Sequence, residues 1–357
     1  MKLLALTKYG SQAASTRQRF MQYQPALAAA DIAVDYSPFF ANDHLERLIA
    51  GRGVSRLAVL RGYRRRLGTI IAARKYDALW VHYEIFPYLP GAMERLGKWA
   101  GRPIVVDYDD ATFHTYDASP NSLVRRLLSH KLVPLLRGAS AACCGNAYLN
   151  DYAAQYCRRT IILPTVVDTD CYLPIVRDKA APVVIGWIGS PSTWAFFRPL
   201  LPLLRELVEQ FDVVIRVVGA GEAADRDRFP GLELVKWSEA SEIAAVQAMD
   251  IGLMPLADEP WARGKCGYKL IQYMACGLPV VASPVGVNSD IVSDGENGFL
   301  ASNIEAWRAA LTTLIVNSAL RRRLGKNSRE RAERDYSLES QAPRLVDLFR
   351  SVIGTNT

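Results

Sequence analysis

The sequence predicts an α/β protein with two parallel-sheet domains, and three observations support this prediction. Half of the 357 residues are hydrophobic, which is more than a single core of ordinary size accommodates. Short apolar runs alternate with longer amphipathic segments, as expected for repeated strand–helix units and a parallel sheet. A polar, irregular stretch over residues 164–182 interrupts this pattern, so we place the connection between the domains there.

Strands are predicted where a short apolar run precedes an amphipathic or polar segment. In the first half these strands are Lys2–Thr7, Ala33–Tyr36, Ala78–His82, Ile104–Asp107, Ala139–Cys144 and Thr160–Leu163. In the second half they are Val183–Ile188, Val213–Val218, Leu232–Val235, Ile251–Pro255 and Leu278–Ala282. A helix is predicted at the C-terminal end, over Asp335–Ile353. The pattern starts afresh after the irregular stretch, which predicts two similar halves.

Composition narrows the class of protein. The mean hydropathy of +0.02 argues against disorder. No apolar run reaches the roughly 18 residues that a membrane helix needs, and the apolar N-terminal stretch fits a first buried strand better than a signal peptide. The six cysteines show no C-x-x-C spacing, so we expect no zinc site and free thiols in a cytoplasmic protein.

Positive charge is concentrated in the first half. Residues 1–170 carry 22 Lys and Arg against 14 Asp and Glu, a net of +8, and the remainder carries −1, which together give +7. One predicted basic helix contains Arg47, Arg52, Arg56, Arg61, Arg64, Arg65, Arg66, Arg74 and Lys75, and a second contains Arg125, Arg126, Lys131 and Arg137. Such faces suit either an anionic membrane surface or plain solvent. No nucleic-acid partner is expected, because no aromatic-interleaved basic motif accompanies the charge.

The segment 263–288, RGKCGYKLIQYMACGLPVVASPVGVN, has the pattern of a phosphate-handling site. Gly264 and Gly267 free the backbone around Lys265 and Lys269 to approach an anion. A following helix offers unpaired N–H groups at its positive end. Glycine-rich loops alone are weak evidence, and an ordinary loop–helix–strand unit with two solvated lysines is the alternative.

The helix of this segment is predicted over Tyr268–Ala275 and is closed by Gly277 and Pro279. The apolar run that follows has no alternation, as in a parallel strand buried on both faces. The loop Ser283–Asn288 then lies at the carboxyl end of that strand, where open α/β sheets place their ligands.

The order GK-C-G-x-K-L-x-Q-Y-M-A-C-G-x-P-V-V-A-S-P-V-G in this segment resembles the donor-nucleotide region of family 4 of the retaining glycosyltransferases (glycosyl transferases group 1). The resemblance spans almost the whole chain and is strongest after residue 183. It implies the GT-B fold, α/β with two Rossmann-like parallel-sheet domains facing a central cleft. It also implies an acceptor-binding domain over 1–170, a nucleotide-sugar-binding domain over 181–335, and a terminal helix within 336–357 that returns to the first domain.

The chain departs from the family pattern at two carboxylates. The family has a Glu, seven residues, and a second Glu in this region, whereas this chain has Gly264 and Gln272 at those positions. Gln272 can still hydrogen-bond ribose hydroxyls, although without the charge assistance of a carboxylate. Asp258 or Glu259 can supply a sugar-hydroxyl contact instead, or both are exposed loop charges.

Two further loops resemble donor-binding parts of the family. The loop KYGSQAASTRQR matches a subgroup pattern S-[ST]-R-x-R, so Arg17 and Arg19 are expected to neutralise the leaving diphosphate. The turn GWIGSPSTW follows a strand, and its Ser190 and Thr193 either bind phosphate or act as plain turn and capping residues. The resemblance implies donor contacts at Gly10, Arg17, Gly189, Ser190, Lys265, Gly267, Tyr268, Lys269 and Gln272.

Three carboxylates, Asp107, Asp109 and Asp110, follow a buried strand in VVDYDDATF. Clustered carboxylates repel one another, so we expect a partner, a metal or a substrate to offset the cost. A D-x-D pair is also found in metal-dependent glycosyltransferases of the other major fold, but the two-halves layout does not suit that fold. His82 and Glu84 end the preceding strand and are predicted, with Asp107, to contact the acceptor; for His82 a satisfied core histidine is the alternative.

The sequence thus predicts a cytoplasmic retaining glycosyltransferase, peripheral on the inner face of the plasma membrane. It is expected to move a sugar from a nucleoside diphosphate sugar to a hydroxyl of a saccharide or lipid-linked acceptor, in cell-surface polysaccharide or glycolipid synthesis. The nucleotide sugar is a co-substrate, so no cofactor and no metal are expected. Asp109, Asp110 and Lys265 are the predicted catalytic residues. A catalytically silent nucleotide-sugar-binding protein and a nucleotide-sugar epimerase of the same fold are the alternatives.

Overall fold

The computed structural model describes residues 1–41, 55–175 and 182–354. The chain divides into two compact units. The first unit contains Met1–Thr165, Gly264–Cys266 and Gln341–Thr357, and the second contains Val166–Arg263 and Gly267–Ser340. Each unit is built around one six-stranded parallel sheet, so each has its own set of strand ends at which a ligand can bind.

The first sheet has the strand order β2-β1-β3-β4-β5-β6. Its strands are β1 (Lys2–Leu6), β2 (Ala33–Tyr36), β3 (Ala78–His82), β4 (Ile104–Tyr108), β5 (Ala141–Cys144) and β6 (Thr160–Ile162). The helices of the described chain between them are α1 (Ala14–Arg19), α2 (Gln24–Ala29), α3 (Arg56–Ile71), α4 (His114–Asp117), α5 (Ser122–Leu128), α6 (Val133–Leu136) and α7 (Ala147–Ala154). Short 3-10 helices lie at Met21–Tyr23, Ala72–Lys75 and Gly91–Ala100.

The core of the first unit lies on both faces of its sheet, because the central strands are apolar without alternation. On one face, Ile70 of α3 packs in the same cluster as Leu135 of α6. On the other face, Trp80 packs against Phe20 and Phe349, with ring centroids 4.2 and 5.2 Å apart. Phe349 belongs to the last helix, so the C-terminal segment completes the core of the N-terminal sheet.

The second sheet has the order β12-β11-β10-β7-β8-β9. Its strands are β7 (Val183–Ile188), β8 (Val213–Val218), β9 (Leu232–Val235), β10 (Ile251–Met254), β11 (Val280–Ala282) and β12 (Gly298–Leu300). The helices that follow are α8 (Trp194–Phe197), α9 (Leu201–Gln210), α10 (Glu242–Gln247), α11 (Pro260–Arg263), α12 (Tyr268–Ala275), α13 (Asn288–Ile291), α14 (Ile304–Val316), α15 (Ser318–Tyr336) and α16 (Leu338–Gly354). Short 3-10 helices lie at Pro191–Thr193, Arg198–Leu200, Glu222–Asp227 and Glu239–Ser241.

Each predicted strand is present, with ends that differ by at most two residues. The sequence prediction missed β12. This strand has only three residues, and it is defined by its parallel pairing with β11. The predicted start of the last helix was wrong. Ser337 adopts an extended conformation that ends α15, and its hydroxyl accepts a hydrogen bond from Ser340 N at 3.1 Å, which starts α16.

The basic segments differ from the prediction. Arg47 and Arg52 lie outside the described residues, and Arg66 points into the core rather than to solvent. The second predicted helix is two short helices, α5 and α6, and Lys131 between them is buried because it pairs with two glutamates. None of the helices in the described ranges combines the length and apolarity needed to cross a bilayer.

Candidate active site

The carboxyl ends of three adjacent strands bring polar side chains together in the first unit. In the order of the sheet, β1 lies beside β3 and β3 beside β4. The residues that follow these strands include Lys8 after β1, Glu84 after β3, and Asp109 and Asp110 after β4. Because the strands are parallel, these residues lie at one edge of the sheet.

Each of the three clustered aspartates has its own partner, which removes the repulsion expected from the sequence. Asp107 pairs with Arg19, whose Nε lies 2.8 Å from Oδ1. Asp109 accepts hydrogen bonds from His82 Nε2 at 3.3 Å and from the hydroxyl of Tyr83. Asp110 pairs with Lys265, with 2.9 Å between Oδ2 and Nζ.

The environments of Asp109 and Asp110 push their pKa values in opposite directions. Burial raises the pKa of Asp110, and the Lys265 ammonium opposes this rise only in part. Burial acts in the same sense on Asp109, but the hydrogen bonds from His82 and Tyr83 and the charge of Arg19 outweigh it and lower the pKa. The two neighbouring carboxylates therefore differ in how readily they ionise.

Asp107 lies beneath this edge rather than on it. Its side chain is fully buried, Arg19 Nη2 donates to its Oδ2 at 3.1 Å, and Trp80 Nε1 donates to the same oxygen at 3.4 Å. Arg19 also donates to the carbonyl of Leu163 at 2.8 Å. Asp107 and Arg19 thus form a fully buried ion pair, and the acceptor contact predicted for Asp107 and the diphosphate contact predicted for Arg19 stay predictions.

Glu84 is the centre of a buried ionic network. Its carboxylate lies 3.0 Å from Lys8 Nζ and 3.1 Å from Lys131 Nζ, and Tyr116 donates its hydroxyl at 2.7 Å. Burial disfavours the charged carboxylate, but the lysines and Tyr116 outweigh this effect and lower the pKa of Glu84 to about 2. Lys131 also contacts Glu94 at 2.5 Å. Glu84 is only 1% exposed at the end of this strand, and its predicted acceptor contact stays a prediction.

His82 and Tyr83 form a strained pair at the end of β3. Their rings stack with centroids 3.7 Å apart, and His82 is fully buried. Tyr83 has a φ of 63°, in the left-handed region that a side chain of this size rarely adopts. In this conformation the Tyr83 hydroxyl donates a hydrogen bond to Asp109, one of the predicted catalytic residues. His82 Nδ1 has no hydrogen-bond partner among the described residues.

The tripeptide Gly264–Cys266 belongs to the first unit and carries Lys265 to Asp110. Asn146 Nδ2 donates to the carbonyls of Gly264 and Lys265, at 3.1 and 2.9 Å. A Cβ at position 264 would lie 2.8 Å from Ala111 N, so only glycine permits this close approach. Close packing against Ala111 therefore accounts for the glycine at position 264.

The first loop places Gly10 and Arg17 near the start of α1. Gly10 is buried, and its carbonyl accepts a hydrogen bond from Ala13 N at 3.2 Å. Arg17 is half-buried and donates to the carbonyl of Gln12 at 2.6 Å. Their predicted donor contacts stay predictions.

In the second unit, a cationic group lies at the carboxyl end of β7. Lys269 Nζ lies 3.3 Å from Thr193 Oγ1 and 4.4 Å from the centre of the Trp187 ring. A Cβ added at Gly189 would stand 2.8 Å from this ammonium. Ser190 is exposed and starts a capping box with Thr193. The turn, the lysine and the glycine thus form one group that can receive an anion.

The second half of this group is the start of α12. Gly267 precedes the helix with a φ of 67°, and a Cβ there would collide with Ile291, so the position requires glycine. Tyr268 and Lys269 are the first two residues of the helix and are half-buried. The predicted helix Tyr268–Ala275 is confirmed in both of its ends.

Gln272 is buried in a polar network that the sequence did not reveal. Its Nε2 donates to the hydroxyl of Tyr172 and to Glu242 Oε1, both at 2.8 Å. Tyr172 also donates to Glu242 Oε1 at 2.8 Å, and Trp237 Nε1 donates to Oε2 at 2.7 Å. A carboxylate from α10 therefore lies beside Gln272. Asp258, by contrast, is exposed and pairs with Arg263 at 2.7 Å.

Sequence reasoning missed Lys8, Tyr83, Asn146 and Glu242. The first two directly follow predicted strands, which is a usable signal at an α/β sheet. Asn146 and Glu242 are ordinary helix-start residues by sequence, and only the folded chain shows what they contact.

Comparisons with known proteins bear on the fold and on the second unit. Each unit contains one of the two parallel α/β sheets that the sequence predicted, and solved glycosyltransferase structures share this GT-B fold. Sucrose-phosphate synthase from Thermosynechococcus elongatus has a TM-score of 0.74 at 17% identity, covering 99% of this chain and all of that one. HepE from Anabaena, solved with UDP-glucose, has a TM-score of 0.73 at 17% identity, covering 98% of this chain and all of that one.

Residues 182–317 match the family model described as Glycosyl transferases group 1. This range contains the Gly189 turn, Lys269 and Gln272. The D-inositol 3-phosphate glycosyltransferase of Corynebacterium urealyticum is 29% identical over 188 residues, which cover 47% of this chain and 43% of that protein. The protein of the same name from Nocardioides sp. is 28% identical over 196 residues, covering 53% of this chain and 38% of that protein. The matched part thus spans less than half the length of these relatives.

Proposed function

We propose that this protein is a retaining glycosyltransferase that moves a sugar from a nucleoside diphosphate sugar to a hydroxyl of a saccharide or lipid-linked acceptor. The observation that carries the proposal is the group formed by Gly189, Thr193 and Lys269 at the end of β7. It combines the ammonium of Lys269, the hydroxyl of Thr193 and the backbone of Gly189, which the ammonium approaches closely. All three lie within the segment that matches Glycosyl transferases group 1. A diphosphate needs this combination of charge and hydrogen-bond donors.

The donor site of the proposal lies in the second unit. Lys269 is held over the Trp187 ring, so its ammonium is already oriented when the donor arrives. The N–H groups at the start of α12 add partial positive charge for the same phosphates. The network of Gln272, Tyr172 and Glu242 offers hydroxyl and carboxylate groups to the ribose, and Glu242 supplies the negative charge that Gln272 lacks.

The chemical step needs positioning and charge stabilisation rather than an enzymic nucleophile. The bond from the anomeric carbon to the diphosphate breaks as the acceptor oxygen attacks on the same face, and the leaving phosphate oxygen takes the acceptor proton. Lys265 and Arg17 stabilise the developing diphosphate charge, and Asp109 orients hydroxyls in its ionised state. We assign Asp110 to the same task, with Lys265 as its counter-ion. The reaction is a substitution with the nucleotide sugar as co-substrate, and we assign it no resident cofactor and no metal.

The free cysteines support the cellular setting that we propose. All six cysteines are free thiols, as in a reducing cytoplasm. We propose that the enzyme works there, at the inner face of the plasma membrane, in the synthesis of a cell-surface polysaccharide or glycolipid. The two curated relatives named above carry a glycosyltransferase name, which supports the reaction class and leaves the sugar to experiment.

Thermal unfolding with UDP-, GDP- and ADP-sugars tests the donor site. A donor at a hundred times its Kd adds about 2.7 kcal/mol to the free energy of unfolding. We expect one nucleotide class to raise the midpoint and Lys269→Ala to weaken its binding by about 10- to 100-fold, since one charge-assisted contact is lost. The exposed Lys326→Ala is the matched control and should bind like wild type. Equal binding by both variants would contradict the donor site.

Turnover decides between an enzyme and a catalytically silent binding protein. The second alternative arises because Gly264 and Gln272 stand where the resemblance predicts carboxylates. The measurement is release of nucleoside diphosphate with and without saccharide or lipid-linked acceptors. Acceptor-dependent release supports transfer. Tight donor binding with no release, or sugar interconversion without acceptor, would replace the proposal by a binding protein or an epimerase.

A further inference from the structure

We propose that the outer face of α3 docks on an anionic lipid bilayer. This basic apolar face consists of four exposed apolar residues of α3, Leu57, Leu60, Leu67 and Ile71, and six exposed basic residues of α3 and the 3-10 helix that follows it, Arg56, Arg61, Arg64, Arg65, Arg74 and Lys75. The inference deepens the proposed membrane location by naming the surface that serves it. It does not depend on the transfer reaction.

The apolar residues form one stripe on the helix. Leu57, Leu60, Leu67 and Ile71 are 55%, 58%, 37% and 60% exposed, and their spacings of three, seven and four place them on the same side. The opposite side of α3 is used for packing. There a Cβ at Gly62 would lie 2.9 Å from the Phe39 ring, and Ile70 is fully buried in the core. The helix therefore has one apolar side for the core and a second one at the surface.

The charge around this stripe has a single sign. Residues 56–75 contain no Asp or Glu. The basic helix α15 of the second unit differs, because its second half carries acids that pair with its basic residues, as in Arg329–Glu333 at 2.6 Å and Lys326–Glu330 at 3.6 Å. A face of uniform positive charge attracts a surface of negative charge, and each basic residue near an anionic membrane is worth on the order of 1 kcal/mol.

The same layer of helices extends the surface beyond α3. The connections from β2 to β3, β3 to β4 and β4 to β5 all advance in one direction across the sheet, so right-handed crossovers place them on one face. This layer also exposes Trp99 by 57%, beside Lys98, and Leu123 and Leu127 of α5 by 61% and 62%. Tryptophan beside basic residues is typical of the level of lipid headgroups.

A bilayer explains both the basic residues and the exposed apolar residues of this surface, whereas a nucleic acid explains only the basic residues. Phosphates of either partner satisfy the arginines. Only the boundary between headgroups and acyl chains also removes the leucine stripe from water, as in interfacial amphipathic helices. A lipid bilayer and a nucleic acid can thus be distinguished by measuring whether the exposed leucines contribute to binding.

Sedimentation of the full chain with vesicles, in the absence of any nucleotide sugar, tests the proposal. We expect binding to vesicles of phosphatidylcholine with phosphatidylglycerol, weaker binding at high salt, and little binding to phosphatidylcholine alone. Arg61→Gln with Arg64→Gln should weaken binding by about 25-fold, at about fivefold per charge. Arg322→Gln with Arg323→Gln, a pair of exposed arginines on α15, changes the net charge equally and should have little effect.

The apolar contribution is measured with Leu60→Ser combined with Ile71→Ser, which should reduce vesicle binding by about tenfold or more. Both positions are exposed, and circular dichroism verifies that the variant is folded. The proposal is overturned by equal binding to neutral and anionic vesicles, by equal losses in the α15 control, or by serine variants that bind as wild type does. Equal affinity for a DNA duplex that the serine variants retain would assign the surface to nucleic acid. A vesicle result of either kind leaves the donor-binding and turnover assays unaffected, so failure here is distinct from failure of the proposed function.

Discussion

At the scale of single residues, Glu84 shows how a buried carboxylate is kept charged. Two ammonium groups and a phenol hydroxyl surround it, and their combined attraction exceeds the cost of its burial. A group with this environment links the stability of the first unit to pH, because the unfolded chain lacks the same partners.

The first prediction concerns acid stability. The pKa of Glu84 falls from 4.5 to about 2 on folding, so its contribution is complete above pH 4.5 and is lost as the pH falls towards 2. By linkage this contribution is about 3 kcal/mol at neutral pH. Urea unfolding of Glu84→Gln between pH 2 and 7 should show lower stability at pH 7 and a smaller slope in the acid range. The exposed Glu209→Gln should follow wild type, and an unchanged slope in Glu84→Gln would show that other carboxylates control it.

The second prediction concerns the ion pair of Lys265 and Asp110. If Lys265 stabilises the leaving diphosphate, Lys265→Ala should lower kcat by about 100- to 1,000-fold, as removal of one preorganised charge does elsewhere. Asp110→Asn removes the counter-ion, and the double variant should lose less than the two single losses combined, since the residues act as a pair. Steady-state kinetics with donor and acceptor measure this. Uniform weakening of donor binding with kcat intact would count against the role.

The site residues divide clearly into those that the sequence could predict and those that it could not. Lys265, Lys269, Asp109 and Asp110 follow glycines or strand ends, where local pattern indicates a ligand site. The burial of Asp107 and Glu84 depends on Arg19 and Lys131, which lie 88 and 47 residues away along the chain. Periodicity carries no information on such distant pairings, so the sequence alone did not predict the burial of these carboxylates.

At the scale of elements, glycines decide where helices and strands can approach one another. Gly267 holds a left-handed φ before α12, and its missing side chain leaves room for Ile291 of α13. At Gly68 in α3, no heavy atom beyond its chain neighbours and the backbone of its own helix lies within 4 Å of the place where a Cβ would stand. These two glycines therefore make opposite predictions for the same substitution.

The third prediction compares Gly267→Ala with Gly68→Ala. Alanine at 267 has to adopt a left-handed conformation and displace Ile291, which should lower the free energy of unfolding by about 1 to 3 kcal/mol. Alanine at 68 lies within a helix, where its conformation is allowed, and it restricts the unfolded chain more than glycine does. It should therefore raise the free energy of unfolding by about 0.5 to 1 kcal/mol. Denaturant midpoints of the two variants provide the comparison. Equal shifts of the same sign would contradict the assignment of backbone strain to Gly267.

Among the elements, strands were predicted more faithfully than helix boundaries. Buried parallel strands such as β3 and β4 are continuous apolar runs, which a sequence displays directly. The boundary between α15 and α16 depends on one serine that adopts an extended conformation, and β12 depends on pairing with β11. Both features arise from contacts that form only in the folded chain.

At the scale of the whole molecule, the C-terminal helix contributes to the core of the N-terminal sheet. Phe349 is fully buried against Trp80, and Arg344 donates to the carbonyl of Ile162 at 2.8 Å. The stability of the first unit therefore depends on the last residues of the chain.

The fourth prediction tests this dependence. Phe349→Ala should destabilise the first unit by about 3 to 5 kcal/mol, through lost burial and a residual cavity. Because two units need not unfold together, we expect an earlier transition by tryptophan fluorescence and an unchanged effect of donor sugars on the later one. Val316→Ala, at a side chain 66% exposed, should leave both transitions in place. A shift of the donor-sensitive transition alone would contradict the assignment of Phe349 to the first unit.

The first unit is assembled from three separate stretches of chain and the second from two. A chimaera between this protein and a relative therefore cannot be made by exchanging one contiguous half. The recipient must keep residues 1–165, 264–266 and 341–357 from one parent, so that Asn146 retains the backbone carbonyls it holds and Trp80 retains Phe349. Genetic recombination at a single junction near residue 165 would break both sets of contacts. The two units are therefore expected to be inherited together rather than exchanged one at a time.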